Sequence, residues 1–245
     1  MRDPYAYPNS HILINKLDIR DEEELVKIEA QLFIAAIVDL ENSFNVTDLF
    51  HPDSVQQIHS YLFDNLYEWA GNFRTINIYK PERVLSGLSV SYSDYQNIPF
   101  VLADIYEWAF TIKWDQREPD VVKNFTTLLV NLWRVHPFRE GNTQTLSVFM
   151  KLFAEKHGIS FNEQILSNHA GYLRAAIALA AIEEAPEPES LVNMIHDAFG
   201  VPGTGDLVEL ESSSDRYQSI EQFDVEHYEE NYFSVDPLQI EPDEK

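Results

Sequence analysis

Apolar residues recur at steps of three and four through most of the first two hundred positions, and alternating stretches are few, so the chain is expected to be mainly α-helical. DIRDEEELVKIEAQLFIAAIVDLE sets Leu25, Ile28, Leu32 and Ala36 on one face, with Asp18 or Asp21 as N-cap and acids in the first turn to meet the helix dipole. HPDSVQQIHSYLFDNLYEWAG carries a second stripe of Val55, Ile58, Leu62 and Leu66 behind Pro52, with Gly71 as its expected stop. In NFRTINIYKPERVLSGLSVSYSDY, Ile76, Ile78 and Val84 favour extended chain while Pro81, Gly87 and the serines favour turns, which predicts a β-hairpin or flap. Helices are again expected in YQNIPFVLADIYEWAFTIKW and DVVKNFTTLLVNLWRVHPF, the second apolar enough to belong at the centre. Three more follow, in QTLSVFMKLFAEKHG, HAGYLRAAIALAAIEE and PESLVNMIHDAFG, before Gly200, Pro202 and Gly203 mark the clearest boundary.

Composition narrows what such a chain does. With 245 residues, 44% of them hydrophobic, it suits one helical domain over residues 1–200, its core at about 45–200, plus an appendage over 201–245. The absence of cysteine removes disulfides, thiolate metal sites and a Cys nucleophile, leaving His, carboxylates and hydroxyls to carry chemistry. The net charge of −24 argues against nucleic acid as a partner, since phosphate backbones are bound by clustered Lys and Arg. No run of eighteen apolar residues and no signal-like start are present, so a membrane is not expected either, and the expected compartment is the cytoplasm unless a dedicated machine exports the protein as an effector. Charge is concentrated in the appendage, where 13 acids face only Arg216 and Lys245. Ile220, Phe223, Tyr228, Tyr232 and Phe233 punctuate those acids and would let a short helix dock on the domain.

One stretch stands apart, HPFREGNTQT at residues 136–145. If the central helix ends at Val135 and the next begins near Asn142 or Thr143, HPFREGN is an inter-helix loop in which Pro137 disfavours helical geometry at His136 and Gly141 permits unusual backbone angles. Phe138 would anchor the loop in the core. Gly141, Asn142 and Thr143 would offer backbone N–H groups at a helix N-terminus, where an anion such as a phosphate is favoured. Glu140 beside that anion suits Mg²⁺, which commonly takes one or two carboxylates plus substrate phosphates. His136 lies within reach as general base for a hydroxyl nucleophile, and together the parts describe transfer of a phosphorus-containing group.

HPFREGN resembles the signature of the Fic family, H-P-F-x-[D/E]-G-N-[G/K]-R-x-x-R, and LYEWAGNFRTINI and DPYAYPNSHILINKLDIRDEEEL are also similar to segments of its members. The resemblance implies a compact helical bundle with a small β-hairpin flap. It implies transfer of AMP from ATP to a Ser, Thr or Tyr hydroxyl of a target protein, with His136 as base, Glu140 holding Mg²⁺, and Arg139, Gly141, Asn142, Thr143 and Gln144 around the nucleotide phosphates. Thr75, Ile76, Asn77, Ile78 and Lys80 would form the flap that positions the target by strand-like pairing.

The pattern departs from the family at two arginines, replaced by Gln144 and Ser147, and at Thr143, where Gly or Lys is usual. Arg-to-phosphate contacts are bidentate and charge-assisted, so nucleotide binding is expected to be weaker or differently oriented. Arg74, Lys80, Arg134 and Arg139 are candidate substitutes. The inhibitory [S/T]-x-x-x-E-[G/N] segment of many members has its nearest approach at EHYEEN, where Glu230 precedes Asn231 but Glu226 takes the hydroxyl position. Besides adenylyl transfer, the sequence leaves open another phosphate donor, a phosphotransferase, and a catalytically weak binding module.

Overall fold

The structure is a computed structural model that describes residues 3–44 and 48–200; the acidic appendage, Glu230 included, lies outside the described residues. Eight α-helices occur among the described residues: α1 (Glu22–Ser43), α2 (Asp53–Phe63), α3 (Ile98–Phe110), α4 (Val121–Val135), α5 (Asn142–Lys156), α6 (Glu163–Asn168), α7 (Ala170–Ala181) and α8 (Glu189–Phe199). None is long and apolar enough to cross a membrane.

The capping chemistry explains the ends. Asp21, not Asp18, caps α1, its carboxylate accepting from the Glu24 N–H at 2.9 Å, so one of the unpaired donors of the first turn is satisfied. Asn162 caps α6, a helix the apolar spacing had not announced, by accepting from Gln164 N–H at 3.2 Å.

The strongly amphipathic α4 is the axis of the bundle and packs against α3, α5, α7 and α8, while α2 packs on α1 and α5. Phe125, Leu128, Leu129, Leu132 and Trp133 are among the buried positions of α4, and a single apolar cluster extends from Leu13 to Phe199. This places the C-terminal end of α4 and the N-terminal end of α5 side by side in the interior.

Two expectations about secondary structure are corrected. The second helix stops at Phe63, short of Gly71: Asp64 and Asn65 open a turn that sends Leu66 and Tyr67 back into the core, both 1% exposed. The expected β-hairpin around residues 75–80 has no paired strands. It runs out and back as extended chain, closed at its tip by Glu82 N–H to Leu88 O at 2.9 Å, with a 3₁₀ turn at Arg83–Leu85. Its two arms are tied by a side chain instead of a ladder, since the Arg74 guanidinium donates to Ile76 O at 2.7 Å on one arm and to Ser93 O on the other. The one isolated bridge among the described residues joins Ala6 to Leu13 in the N-terminal arm.

Candidate functional site

The site forms where α4 hands over to α5, at the boundaries expected from sequence. His136 terminates α4 in the left-handed region at φ 47°, and Gly141 precedes α5 at φ 78°. Gly141 has a second reason to be glycine: a Cβ there would lie 2.4 Å from the Phe63 ring. Between them the loop closes on itself. The Asn142 carboxamide accepts from Phe138 N–H and donates to Phe138 O, both at 2.9 Å, and the Thr145 hydroxyl donates to Gly141 O at 2.7 Å. Phe138 is fully buried, stacked on His59 with ring centroids 3.9 Å apart.

His59 braces the loop from below. Gly71 N–H donates to its Nδ1 at 2.8 Å, so Nε2 carries the proton and donates to Glu140 O at 3.0 Å. Complete burial lowers its pKa to about 3, and the ring stays neutral.

His136 is 2% exposed, and its Nδ1 lies 3.3 Å from Trp133 O, an acceptor, which places the ring proton on Nδ1. Nε2 is then a bare acceptor, buried and without a hydrogen-bond partner. Burial first, then the positive charges of Lys80, Arg74 and Arg174, hold the imidazole well below its usual pKa, so it is neutral at neutral pH. A neutral imidazole with an uncommitted nitrogen beside a helix N-terminus can take a proton from a nucleophile.

The other expected site residues fall into two groups. Glu140, Gly141, Asn142, Thr143 and Gln144 gather at the start of α5, whose first N–H groups have no partner one turn back. One of the expected anion donors is already engaged, because Gly141 N–H donates to Glu140 Oε1 at 3.0 Å. Thr143 is fixed by Trp133 Nε1 at 3.3 Å, and the Ser147 hydroxyl donates back to Thr143 O at 3.0 Å. Glu140 is itself buried, with Lys80 Nζ at 3.2 and 3.4 Å from its two oxygens.

The cations are less available than their sequence positions imply. Arg139 is 1% exposed and held by Asp3, at 3.2 and 3.3 Å, rather than standing open to an anion. Arg134 pairs with Glu183 at the surface at 3.0 Å. Arg74 is buried, and besides the flap it donates to His136 O at 2.9 Å. Of the flap residues, Thr75 meets Tyr5, its N–H donating to the phenol oxygen at 3.0 Å, and Asn77 accepts from Tyr95 N–H at 2.9 Å. Ile76 and Ile78 are half-buried, and Lys80 points inward to Glu140. Sequence reading missed Asp3, Glu82 and Arg174; the last two pair with each other at 3.3 Å, Glu82 lying two residues beyond Lys80.

Residues 49–154 match the model of the Fic/DOC family. This stretch of the chain is similar to the Fic/DOC family. Over 197 residues, 80% of this chain and 97% of the relative, it is 26% identical to a probable protein adenylyltransferase, y4lH, of Sinorhizobium fredii. It is 27% identical over 157 residues to the protein adenylyltransferase VbhT of Bartonella schoenbuchensis, covering 64% of this chain but only 31% of VbhT. Among solved structures, the N-terminal Fic domain of a Bartonella quintana effector with bound ADP superposes with a TM-score of 0.66 at 20% identity, covering 79% of this chain and 93% of that one. The chain thus shares its helical-bundle fold with these structures, and the stretch that resembles the Fic motif forms the α4–α5 junction.

Proposed function

We propose that the chain is a protein adenylyltransferase, transferring AMP from ATP to a hydroxyl side chain of a target protein. The observation that carries the reading is the bare, buried Nε2 of neutral His136 beside the N-terminus of α5. The names of the relatives support the choice of adenylyl over other phosphoryl groups.

In this reading the target hydroxyl oxygen attacks the α-phosphorus of ATP, its proton passes to His136 Nε2, and the bond from the α-phosphorus to the bridging oxygen breaks to release pyrophosphate. The N–H groups that open α5 hold the phosphate oxygens, and Asn142 keeps the loop in the shape that aims them. Among the described residues no cluster of three or more His, Cys, Asp or Glu side chains is arranged for a metal, but a single buried carboxylate next to phosphates is a usual protein share of a Mg²⁺ site, and Glu140 fits that share. When bound, Mg²⁺ would neutralise phosphate charge. The flap, held out by Arg74 and Asn77, lies over the loop where a target segment would bring its hydroxyl.

The test is incubation with Mg²⁺, α-labelled or γ-labelled ATP in parallel, and cell lysate, beside a His136→Ala variant. Label on a protein that disappears with the substitution supports the reading. Label transferred only from the γ position would make the protein a phosphotransferase, and no transfer from any nucleotide would make it a binding module.

A further inference from the structure

Close to the tip of the flap lie two buried charges of opposite sign, Lys80 and Glu82, 8% and 2% exposed, on either side of Pro81. Lys80 reaches Glu140 in the motif loop at 3.2 Å, and Glu82 is met by Arg174 of α7 at 3.3 and 3.4 Å. Removing an ammonium group from water is costly, and a buried ion pair returns little net stability over a well-packed apolar pair. The placement therefore asks for another reason. Around the loop lie Arg74, Lys80, Arg139 and Arg174 against Asp3, Glu82, Asp94 and Glu140, as many cations as acids in a chain of net charge −24. Arg74 and Arg139 are locked on backbone carbonyls and on Asp3. Lys80 differs in kind: its ammonium sits at the end of a flexible four-carbon stem and can change partners without moving the backbone.

We propose that Lys80, backed by Arg174, supplies the positive charge for the outer phosphates of the nucleoside triphosphate, in place of the arginines that Gln144 and Ser147 replace. This rests on the nucleotide-transfer reading above. Gln144 is neutral and the Ser147 hydroxyl is turned back onto its own helix, so neither meets a phosphate charge. Lys80 waits on Glu140, at the carboxylate assigned to the phosphate-bound cation, and turns from it to the β- and γ-phosphates when they arrive. Arg174 stays on Glu82, fixes the flap next to Lys80 and adds its field to the same pocket. The flap would then read the donor as well as the target.

The test is calorimetric binding of ATP and AMP, with Mg²⁺, to the full chain and to Lys80→Gln, Lys80→Gln/Ser147→Arg and Arg174→Gln, each checked for native circular dichroism. Loss of one charge-assisted phosphate contact should weaken ATP about tenfold or more in Lys80→Gln while AMP binding stays near wild type. The added arginine at position 147 should restore much of the ATP affinity. An equal loss for ATP and AMP, or an unchanged ATP-over-AMP preference, overturns the proposal while leaving the transferase reading intact. Should Lys80→Gln not fold, Arg174→Gln decides: a reduced ATP-over-AMP preference supports the proposal and an unchanged one overturns it. Failure of the wild-type chain to bind ATP overturns both readings together.

Discussion

The Asn142 side chain holds both backbone groups of Phe138, accepting from the N–H and donating to the C=O at 2.9 Å each, so a single carboxamide closes the loop that carries His136 and Glu140. Both bonds are buried, and truncation leaves two backbone groups without partners. Asn142→Ala should destabilise the protein by about 2–4 kcal/mol and abolish transfer. Asn142→Asp keeps the acceptor for Phe138 N–H but sets an oxygen against Phe138 O, so it should be no better. Urea denaturation with a parallel transfer assay checks this, and a stable, active Asn142→Ala protein would show that the loop holds its shape without the carboxamide.

Gly141 and Phe63 make a second pair with a steric meaning. A Cβ at position 141 would meet the Phe63 ring at 2.4 Å while the backbone is held at φ 78°. Gly141→Ala should cost about 2–4 kcal/mol from the clash and the left-handed backbone together. Shortening the neighbour should relieve only the first part. Gly141→Ala/Phe63→Leu is therefore expected to lose less than the sum of the two single substitutions in denaturant titrations, and strict additivity would mean the ring does not set the residue.

The loop was legible in the sequence because its cues are local: Pro137 after His136, Gly141 before the next apolar period, and Phe138 as the one large apolar residue among polar ones. Its braces were not. Arg74 to His136 O, His59 to Glu140 O and Arg139 to Asp3 join residues 62, 81 and 136 positions apart, and no periodicity signals such partners. Arg74, Lys80 and Arg139 look like surface charges in a single sequence, yet the fold buries all three. The hairpin expectation failed for a related reason, since the Arg74 guanidinium stands between the two arms where ladder bonds would have formed.

His136 should act over an unusual pH range. Burial and the surrounding cations hold its imidazole well below 6.5, so the neutral form that the proposed transfer requires persists as the medium is acidified through that value. The profile of kcat/KM for transfer, which reports the free enzyme, is expected to stay flat from pH 8 to about 6.5 and to fall only below it. An acid limb centred at or above 6.5 would contradict the buried, cation-flanked placement. His136→Ala should lower the rate about 10²–10⁴-fold, the usual range for losing a general base.

Arg74 links flap and motif, and its loss should be felt at both. Its guanidinium donates to Ile76 O, Ser93 O and His136 O, so Arg74→Met strands one buried and two half-buried carbonyls and should cost about 3 kcal/mol. Arg74→Lys retains charge but lacks the planar fork that spans the two arms, so it should recover little of the loss. Proteolysis within residues 75–93 should accelerate in both variants before the rest of the domain yields. Equal protection of this segment in wild type and variants would show that other contacts hold the flap.

His59 makes a prediction about stability as distinct from catalysis. Its ring is neutral in the folded protein down to about pH 3 because burial removes the charged form's hydration, whereas the unfolded chain takes up a proton near 6.5. Above pH 6.5 both states are neutral and the residue makes stability no steeper in pH. As pH falls below 6.5 the unfolded state binds a proton that the folded state refuses, so stability is lost at about 1.4 kcal/mol per pH unit for this one group. His136 acts in the same direction. His59→Gln keeps a donor and an acceptor near Glu140 O and Gly71 N–H but has no proton to gain; it should be less stable at pH 7, through the lost stacking on Phe138, and lose stability less steeply between pH 6.5 and 5.5. Urea titrations of both proteins across that interval measure the difference in slope, and identical slopes would mean that His59 is protonated inside the folded protein.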